Sequence, residues 1–365
     1  MSKRPSNSNK LVLFVPDYSE ANPYQKMLAD ELSDLKTRVC YDKFYPSLFP
    51  LLTLWRKNPK IDVIHLHWIV DLIAILAWSK NPFIFKVKCY LLRLDCFVVR
   101  ALGVKIVWTI HNKFAHQQLE RSKELQVRSS LVKSVNQIIV HSKEALSTLC
   151  ELYQVDFQHK ARVIFHGNYA GVYPSPSADK AALKSNKHIS QENKVIAYIG
   201  MIRPYKGVDK LIEALKKTEI SKVTLLIAGA PLDKAYGKSL ISQASAQPNI
   251  LFDLKFLSDQ ELVDSLAISD IICLPFSDTL TSGSVILAMT MGKALILPES
   301  AKVFGCVPQN GAIYFSDADD LANILSNIHQ IDISQMGIIN LQAANNMPWS
   351  KAAQLTNSLY CAQGN

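Results

Sequence analysis

The stretch from Val195 to Lys217 constrains the fold of this chain more than any other. An apolar run, VIAYIG, leads into a short basic loop, MIRPYKG, and then into VDKLIEALKK, whose apolar residues recur at helical spacing. A second apolar run, VTLLIAG, follows at 223–229, then DIICLPF at 270–276 and the segment SDTLTSGSVILAMTMGKALILP at 277–298. Strands that alternate with amphipathic helices build a parallel sheet with helices on its faces. In such a sheet the first loop sets Arg203 and Lys206 at the carboxyl edge, and Thr281, Ser282, Gly283 and Ser284 open a second helix. Free N–H groups at a helix start form an anion site, and two fixed cations opposite them complete a clamp for a diphosphate.

The same alternation runs through the first half. Strands are expected near 10–15, 38–42, 61–67, 104–110, 136–140 and 162–166, and helices near 23–34, 69–79, 85–101, 117–134 and 143–153. Residues 174–193 (PSPSADKAALKSNKHISQEN) lose apolar periodicity and gather Ser, Pro, Asn and Lys, the composition of a linker. With 365 residues, the chain has room for two cores. The expected division is a first domain over 1–180, a linker at 181–193, a second domain over 194–347 and a last helix over 348–365.

Composition excludes several classes. Seven cysteines form an odd set with no C-x-x-C, and several lie in apolar runs, which fits buried thiols in a reducing compartment. The polar, basic start MSKRPSNSNK lacks the apolar core of a signal peptide, and the longest apolar stretches are about ten residues, too short to span a bilayer. A cytoplasmic protein is the expectation. Charge is uneven: residues 1–185 hold 26 Lys and Arg against 15 Asp and Glu, a net +11, while the remainder is −2. No zinc-finger, RNP-like or helix-turn-helix pattern accompanies the basic half, so nucleic acid is not an expected partner. Residues 77–105 interleave six Lys and Arg with large apolar side chains and only Asp95 as an acid. That pattern fits a segment lying on the inner face of an anionic membrane, or a core helix with a solvated basic edge.

Histidines recur at strand ends: His65 and His67 in VIHLHW, His111 in VWTIHN, His141 in IIVHS and His166 in VIFHG. In a parallel sheet the carboxyl ends of the strands face the ligand, so these rings can line one surface. Only His65 and His67 are close in sequence and no third ligand stands at a standard spacing, so no metal is expected there. Asp317-Ala318-Asp319 imitates a metal-binding D-x-D but leads straight into a helix, where acids cap the first turn. The first loop, VPDYSEANPYQKML, lacks G-x-G-x-x-G, which counts against a nicotinamide dinucleotide oxidoreductase.

The second half resembles the donor domain of GT-B glycosyltransferases of the glycogen synthase-like, family 4 type. Gly200 through Gly207 match its G-x-[IL]-x-x-x-K-G turn, and Leu287-Ala288-Met289 with Gly292 match its [EL]-A-M-x-x-G segment. The TSGS loop looks most like that of bacterial exopolysaccharide transferases. Many members hold a glutamate at each of the positions that are Thr279 and Leu287 here, where they serve the donor sugar and the ribose. The resemblance implies two Rossmann-like domains facing each other across a cleft, with the C-terminal helix crossing back to the N-terminal domain. It implies a metal-independent hexosyltransferase, without cofactor, that moves sugar from a UDP- or GDP-linked donor to a saccharide or polyprenyl-diphosphate-linked saccharide in polysaccharide synthesis. A catalytically silent subunit that binds a partner transferase is the alternative. The donor diphosphate falls to Arg203, Lys206, Thr281, Ser282, Gly283 and Ser284, and the nucleobase to the region of Phe256 and Glu261. WTIHN resembles the T-x-H-[ND] segment that sets a histidine, here His111, beside the donor sugar. An inverting reaction needs a general base from the first domain, for which Asp71 and His116 are the candidates. Asn22-Pro23-Tyr24 resembles an acceptor-side loop, and reads equally as a plain helix start.

Overall fold

In the computed structural model, described for residues 9–362 apart from Ala21, Trp78, 116–119, Glu219, Ala246 and Asp278, the alternation becomes two parallel six-stranded sheets. The first contains β1 (Lys10–Val15), β2 (Thr37–Tyr41), β3 (Val63–Leu66), β4 (Lys105–Thr109), β5 (Gln137–Val140) and β6 (Ala161–Val163), in the order β2-β1-β3-β4-β5-β6. The second contains β7 (Lys194–Ile199), β8 (Val223–Ala228), β9 (Ile250–Asp253), β10 (Ile271–Cys273), β11 (Ala294–Pro298) and β12 (Ala312–Phe315), in the order β12-β11-β10-β7-β8-β9. Val12 to Val15 and Val195 to Tyr198 are shut off from solvent, as strands covered on both faces must be. One unit takes the chain up to Gly167 and again from Met347; the other runs from Asn168 to Asn346.

Most helices start where a short polar side chain caps them. Asn22 accepts from Tyr24 N–H ahead of the helix Pro23–Asp34, and Ser142 from Ala145 N–H ahead of Lys143–Tyr153. Residues 181–193 are not bare linker. Asp179 caps a helix over Lys180–Asn186, which belongs to the second unit. Another helix, Pro50–Lys57, has no side-chain cap of its own. Asp95, buried on the helix Pro82–Ala101, accepts from Leu51 N–H at 2.7 Å and Leu52 N–H at 2.9 Å instead. Burial pushes that carboxyl up to about 6 against the pull of the two N–H groups.

The last helix, Trp349–Cys361, packs on Pro23–Asp34 and completes the first unit. Its Trp349 ring lies where a β-carbon on Gly167 would stand, 2.3 Å away, so only glycine fits at 167. Tyr360 reaches His65 beneath the sheet's carboxyl edge, and Lys105 Nζ donates to the carbonyls of Leu359 at 2.7 Å and Tyr360 at 3.1 Å. A cation on the last carbonyls of a helix satisfies groups that have no partner within it.

Candidate active site

In the second unit, β7 runs out through Gly200 into a 3-10 turn, Pro204–Lys206. Gly207 follows at φ 72°, and a β-carbon there would lie 2.2 Å from Pro275 O. The basic loop therefore presses against the chain leaving β10, and Ser277 N–H donates to Tyr205 O at 3.0 Å. Lys206 Nζ sits 5.6 Å from the centre of the Phe276 ring and 5.4 Å from that of Tyr205. Burial holds its pKa below the usual lysine value. Arg203 leans on backbone, donating to Ile202 O at 3.0 Å and Ala230 O at 3.3 Å. Among the described residues neither cation forms an ion pair. The helix Gly283–Thr290 begins beside them: a β-carbon on Gly200 would stand 3.4 Å from Ser284 Oγ. Buried Ser282 caps it by accepting from Val285 N–H, while the N–H groups of Gly283 and Ser284 have no intrahelical acceptor. Two uncompensated cations and a helix start thus share one edge of the sheet, a charge pattern completed by a diphosphate.

In the first unit, the strand-end histidines are brought together. His67, His111, His141 and His166 leave the ends of β3, β4, β5 and β6, which are neighbours in that order. Their ring centres follow at 5.5, 5.3 and 5.9 Å, close to the spacing of adjacent strands. His67 Nδ1 lies 3.2 Å from His111 Nε2, and His111 Nδ1 lies 3.3 Å from His141 Nε2. His141 Nδ1 donates to Ile164 O at 2.8 Å. His65, one pleat behind His67, is held at 2.6 Å by the Tyr360 hydroxyl and at 2.7 Å by Thr109 Oγ1. Trp68 stacks on His111 with ring centres 4.3 Å apart, and Tyr24 meets it edge-on at 4.7 Å. Burial pushes His65 and His166 down to about 3 and His141 to about 4, and places His67 and His111 well below the usual imidazole range. For His67, His111 and His166 the neighbouring rings push the same way. All five rings are therefore neutral at pH 7. Among the described residues, no group of three His, Cys, Asp or Glu side chains is placed to hold a metal.

Two family models match the chain in succession: Glycosyltransferase Family 4 over residues 10–167 and Glycosyl transferases group 1 over residues 179–322. The chain is a family 4 glycosyltransferase of the GT-B fold. It is 24% identical over 292 residues to the GDP-mannose:glycolipid 4-beta-D-mannosyltransferase of Xanthomonas campestris pv. campestris, covering 79% of this chain and 74% of that one. It is 24% identical over 284 residues to the D-inositol 3-phosphate glycosyltransferase of Corynebacterium efficiens, covering 70% of this chain and 65% of that one. Among solved structures, Alr3699/HepE of Anabaena in complex with UDP superposes with a TM-score of 0.73 over 96% of this chain and 98% of that one, at 15% identity. Sucrose-phosphate synthase of Thermosynechococcus elongatus does so at 0.72 over 96% and 98%, at 14% identity.

The glycosyltransferase places its sequence-derived candidates unevenly. Arg203 and Lys206 lie in the loop after β7, Ser284 stands next to Gly200 at the end of that strand, and Ser282, Gly283 and half-buried Thr281 adjoin Ser284 in sequence. Thr279 and Leu287, which stand where many relatives have glutamates, are both buried. Phe256 is 85% exposed after β9, so it does not fill the core and its face is open to a flat ligand. Glu261 closes a capping box with Ser258 and pairs with Lys255, which together hold its carboxyl down to about 2, the lysine contributing most. Asp71 is exposed in the first turn of the helix Val70–Ala77. His116 lies outside the described residues. Asp317 accepts from Asp319 and Asp320 N–H and is the cap of Ala318–Ser326. His111 has both ring nitrogens engaged by other histidines. Among the described residues, the buried histidine nitrogen without a hydrogen-bond partner is Nε2 of His67, which sequence alone left as one strand-end histidine among five. Its signal was the alternation in HLHW, which puts His65 and His67 on one face.

Proposed function

We propose that this glycosyltransferase moves a hexose from a GDP- or UDP-linked donor to a lipid-linked saccharide at an anionic membrane surface, as one step in building a polysaccharide. The observation that carries the reading is the outer face of the helix Pro82–Ala101. Phe83, Val87, Tyr90, Leu94 and Phe97 recur on it at alternating four- and three-residue steps and are exposed, Phe83 at 73% and Tyr90 at 68%. Lys86, Arg93 and Arg100 run beside them at seven-residue intervals. Phe85 and Leu92, by contrast, are core. Alongside lies an apolar cavity of about 580 Å3, walled by Leu48, Ala74, Ile75 and Leu76 with Lys88 at its rim. An exposed apolar row with a basic flank suits a headgroup plane. No described helix is long and apolar enough to cross a membrane. The mannosyltransferase relative acts on a glycolipid, and the UDP complexes of the structural neighbour support a nucleotide ligand for this fold.

The donor reading is tested by thermal shift with UDP, GDP, ADP and dTDP, since a ligand held only by the native state raises the melting temperature. At a hundredfold excess over Kd the gain is about 2.7 kcal/mol. GDP or UDP is expected to give the largest shift; no shift with any of the four would refute it. For membrane docking, each Lys or Arg near an anionic surface contributes about 1 kcal/mol. Changing Lys86, Arg93 and Arg100 together to Gln is expected to release the protein from phosphatidylglycerol vesicles, as is 1 M salt, while nucleotide shifts persist. Equal sedimentation of wild type and triple variant would remove the membrane from the account.

A further inference from the structure

The row of histidines has a direction, and that direction leaves one lone pair over. A carbonyl oxygen only accepts, so the 2.8 Å contact with Ile164 O puts the proton of neutral His141 on Nδ1. His141 Nε2 is then an acceptor, and His111 must donate to it from Nδ1. His111 Nε2 becomes an acceptor in turn, and His67 must donate to it from Nδ1. The series ends at His67 Nε2, which carries a lone pair and, among the described residues, has no hydrogen-bond partner although the side chain is only 1% exposed. A buried acceptor without a partner is costly and calls for a reason. This one borders a cavity of about 10 Å3, room for one water, walled by Trp68, Val70, Trp108, Asn112 and Arg128. Trp68, Val70 and Asn112 are only half-buried, so the cavity lies just beneath the carboxyl edge of the sheet.

We propose that His67 Nε2 accepts the proton of the acceptor hydroxyl, through one water, while His111 and His141 are positioning residues that fix its tautomer. The acceptor oxygen bonds to the anomeric carbon of the donor sugar, and the bond from that carbon to the diphosphate oxygen breaks with its electron pair on the diphosphate. The hydroxyl proton passes to the water, which gives one of its own to His67 Nε2. Burial keeps the lone pair free of protons at neutral pH, at the cost of a weak base. The weakness is tolerable because a hydroxyl already bonding to an electron-poor carbon is a strong acid. As His67 gains charge, its Nδ1–H bond to His111 becomes charge-assisted and shortens. The ionisable groups around His67 are His65, His111, His141, Tyr24 and Arg128. Arg128 is already bound to Glu124 at 2.8 Å and to Asn112 O at 3.0 Å.

The inference rests on the proposed transfer to a hydroxyl, with inversion at the anomeric carbon, and not on which sugar or lipid is used. Its first test needs no substrate: nitrogen-15 spectra of histidine-labelled wild type at pH 7.5. They should show His67, His111 and His141 all protonated at Nδ1 and bare at Nε2; a proton on His67 Nε2 would overturn the proposal. The second test follows nucleoside diphosphate release from whichever of GDP-mannose and UDP-glucose is turned over. His67→Gln should lower kcat by about 10²- to 10⁴-fold, the usual worth of a general base, with donor KM and nucleotide thermal shift unchanged. The third compares two changes at one position. His141→Gln keeps a carbonyl for His111 Nδ1–H and should retain most activity. His141→Leu removes it, so His111 and His67 should both move their protons to Nε2 and activity should fall as for His67→Gln. Near-normal turnover by folded His67→Gln, or equal activity in the two His141 variants, would defeat the assignment. Should neither nucleotide bind, the donor reading fails while the tautomer spectra still decide this one.

Discussion

Acidifying the protein from pH 7.5 to about 5.5 is expected to unfold the first unit and leave the second folded. Each of the five buried histidines has a folded pKa below its unfolded value, so below about pH 6.5 the unfolded chain binds protons that the folded chain refuses. Stability is therefore full above pH 6.5 and falls as pH drops toward the folded values, about 3 for His65 and His166 and about 4 for His141. One unit of pH below 6.5 costs about 1.4 kcal/mol for each ring, or roughly 7 kcal/mol for the five together. Asp95 works the other way, since its raised pKa makes the folded state the better proton binder below about pH 6, but it returns only about 1 kcal/mol over this range. A domain's whole stability is about 5–15 kcal/mol. Among the described residues the second unit buries no histidine. All five tryptophans (55, 68, 78, 108 and 349) belong to the first unit, so their emission reports it alone. Emission should shift to the red with a midpoint between about pH 5 and 6 while much of the helical circular dichroism remains. Native emission persisting at pH 4.5 would show that the rings titrate in place.

Lys206→Met is expected to lose about ten- to a hundredfold in kcat/KM while leaving the melting temperature unchanged or higher. Hydrogen bonds to a charged group contribute about 1.5–3 kcal/mol, which is that range of rate. Lys206 is desolvated against Phe276 with no counter-ion among the described residues, so removing its charge relieves the folded protein and deprives the donor. Arg203→Ala should cost less, because its guanidinium already spends donors on Ile202 O and Ala230 O. Ser284→Pro deletes an N–H at the helix start and should rank with Lys206→Met. Since these groups supply the positive charge, turnover should survive EDTA, and Asp317→Asn should be silent because asparagine caps as well as aspartate. Wild-type kinetics in both cation variants would dismiss the clamp; loss with EDTA, restored by Mg²⁺ or Mn²⁺, would show that a metal shares the work.

What could be read from the sequence was what depends on neighbours in sequence. VIAYIG and VTLLIAG announce buried parallel strands, and the turn from Gly200 to Gly207 announces its own geometry, because each signal is complete within one strand and one loop. The helix Pro50–Lys57 escaped because its cap, Asp95, stands some forty residues away on another helix. Lys180–Asn186 escaped because it buries little beyond Leu183 and part of Lys184, too short an apolar pattern to stand out in a polar segment. His111 was legible from WTIHN, and strand-end position grouped it with the other four histidines, but which rings touch was not legible. That β3, β4, β5 and β6 lie side by side in chain order, turning scattered histidines into a hydrogen-bonded row, is a property of sheet order. Phe256 was marked only by the resemblance, because one aromatic in a loop carries no periodicity that would tell its exposure.

The return of the last helix to the first unit also orders the events of synthesis. Trp349 and Tyr360 belong to the same buried cluster as Phe14, Tyr24 and Val107. That cluster cannot close until residues near 360 have been made, by which time the whole stretch from Asn168 to Asn346 already exists. Domains usually fold from the amino terminus as the ribosome delivers them. Here the second unit is contiguous and can finish first, while the first half waits with β1 to β6 assembled against an open seam. A nascent chain halted before Met347 should therefore yield a protease-resistant second unit and a first unit that is still digestible, an inversion of the usual order.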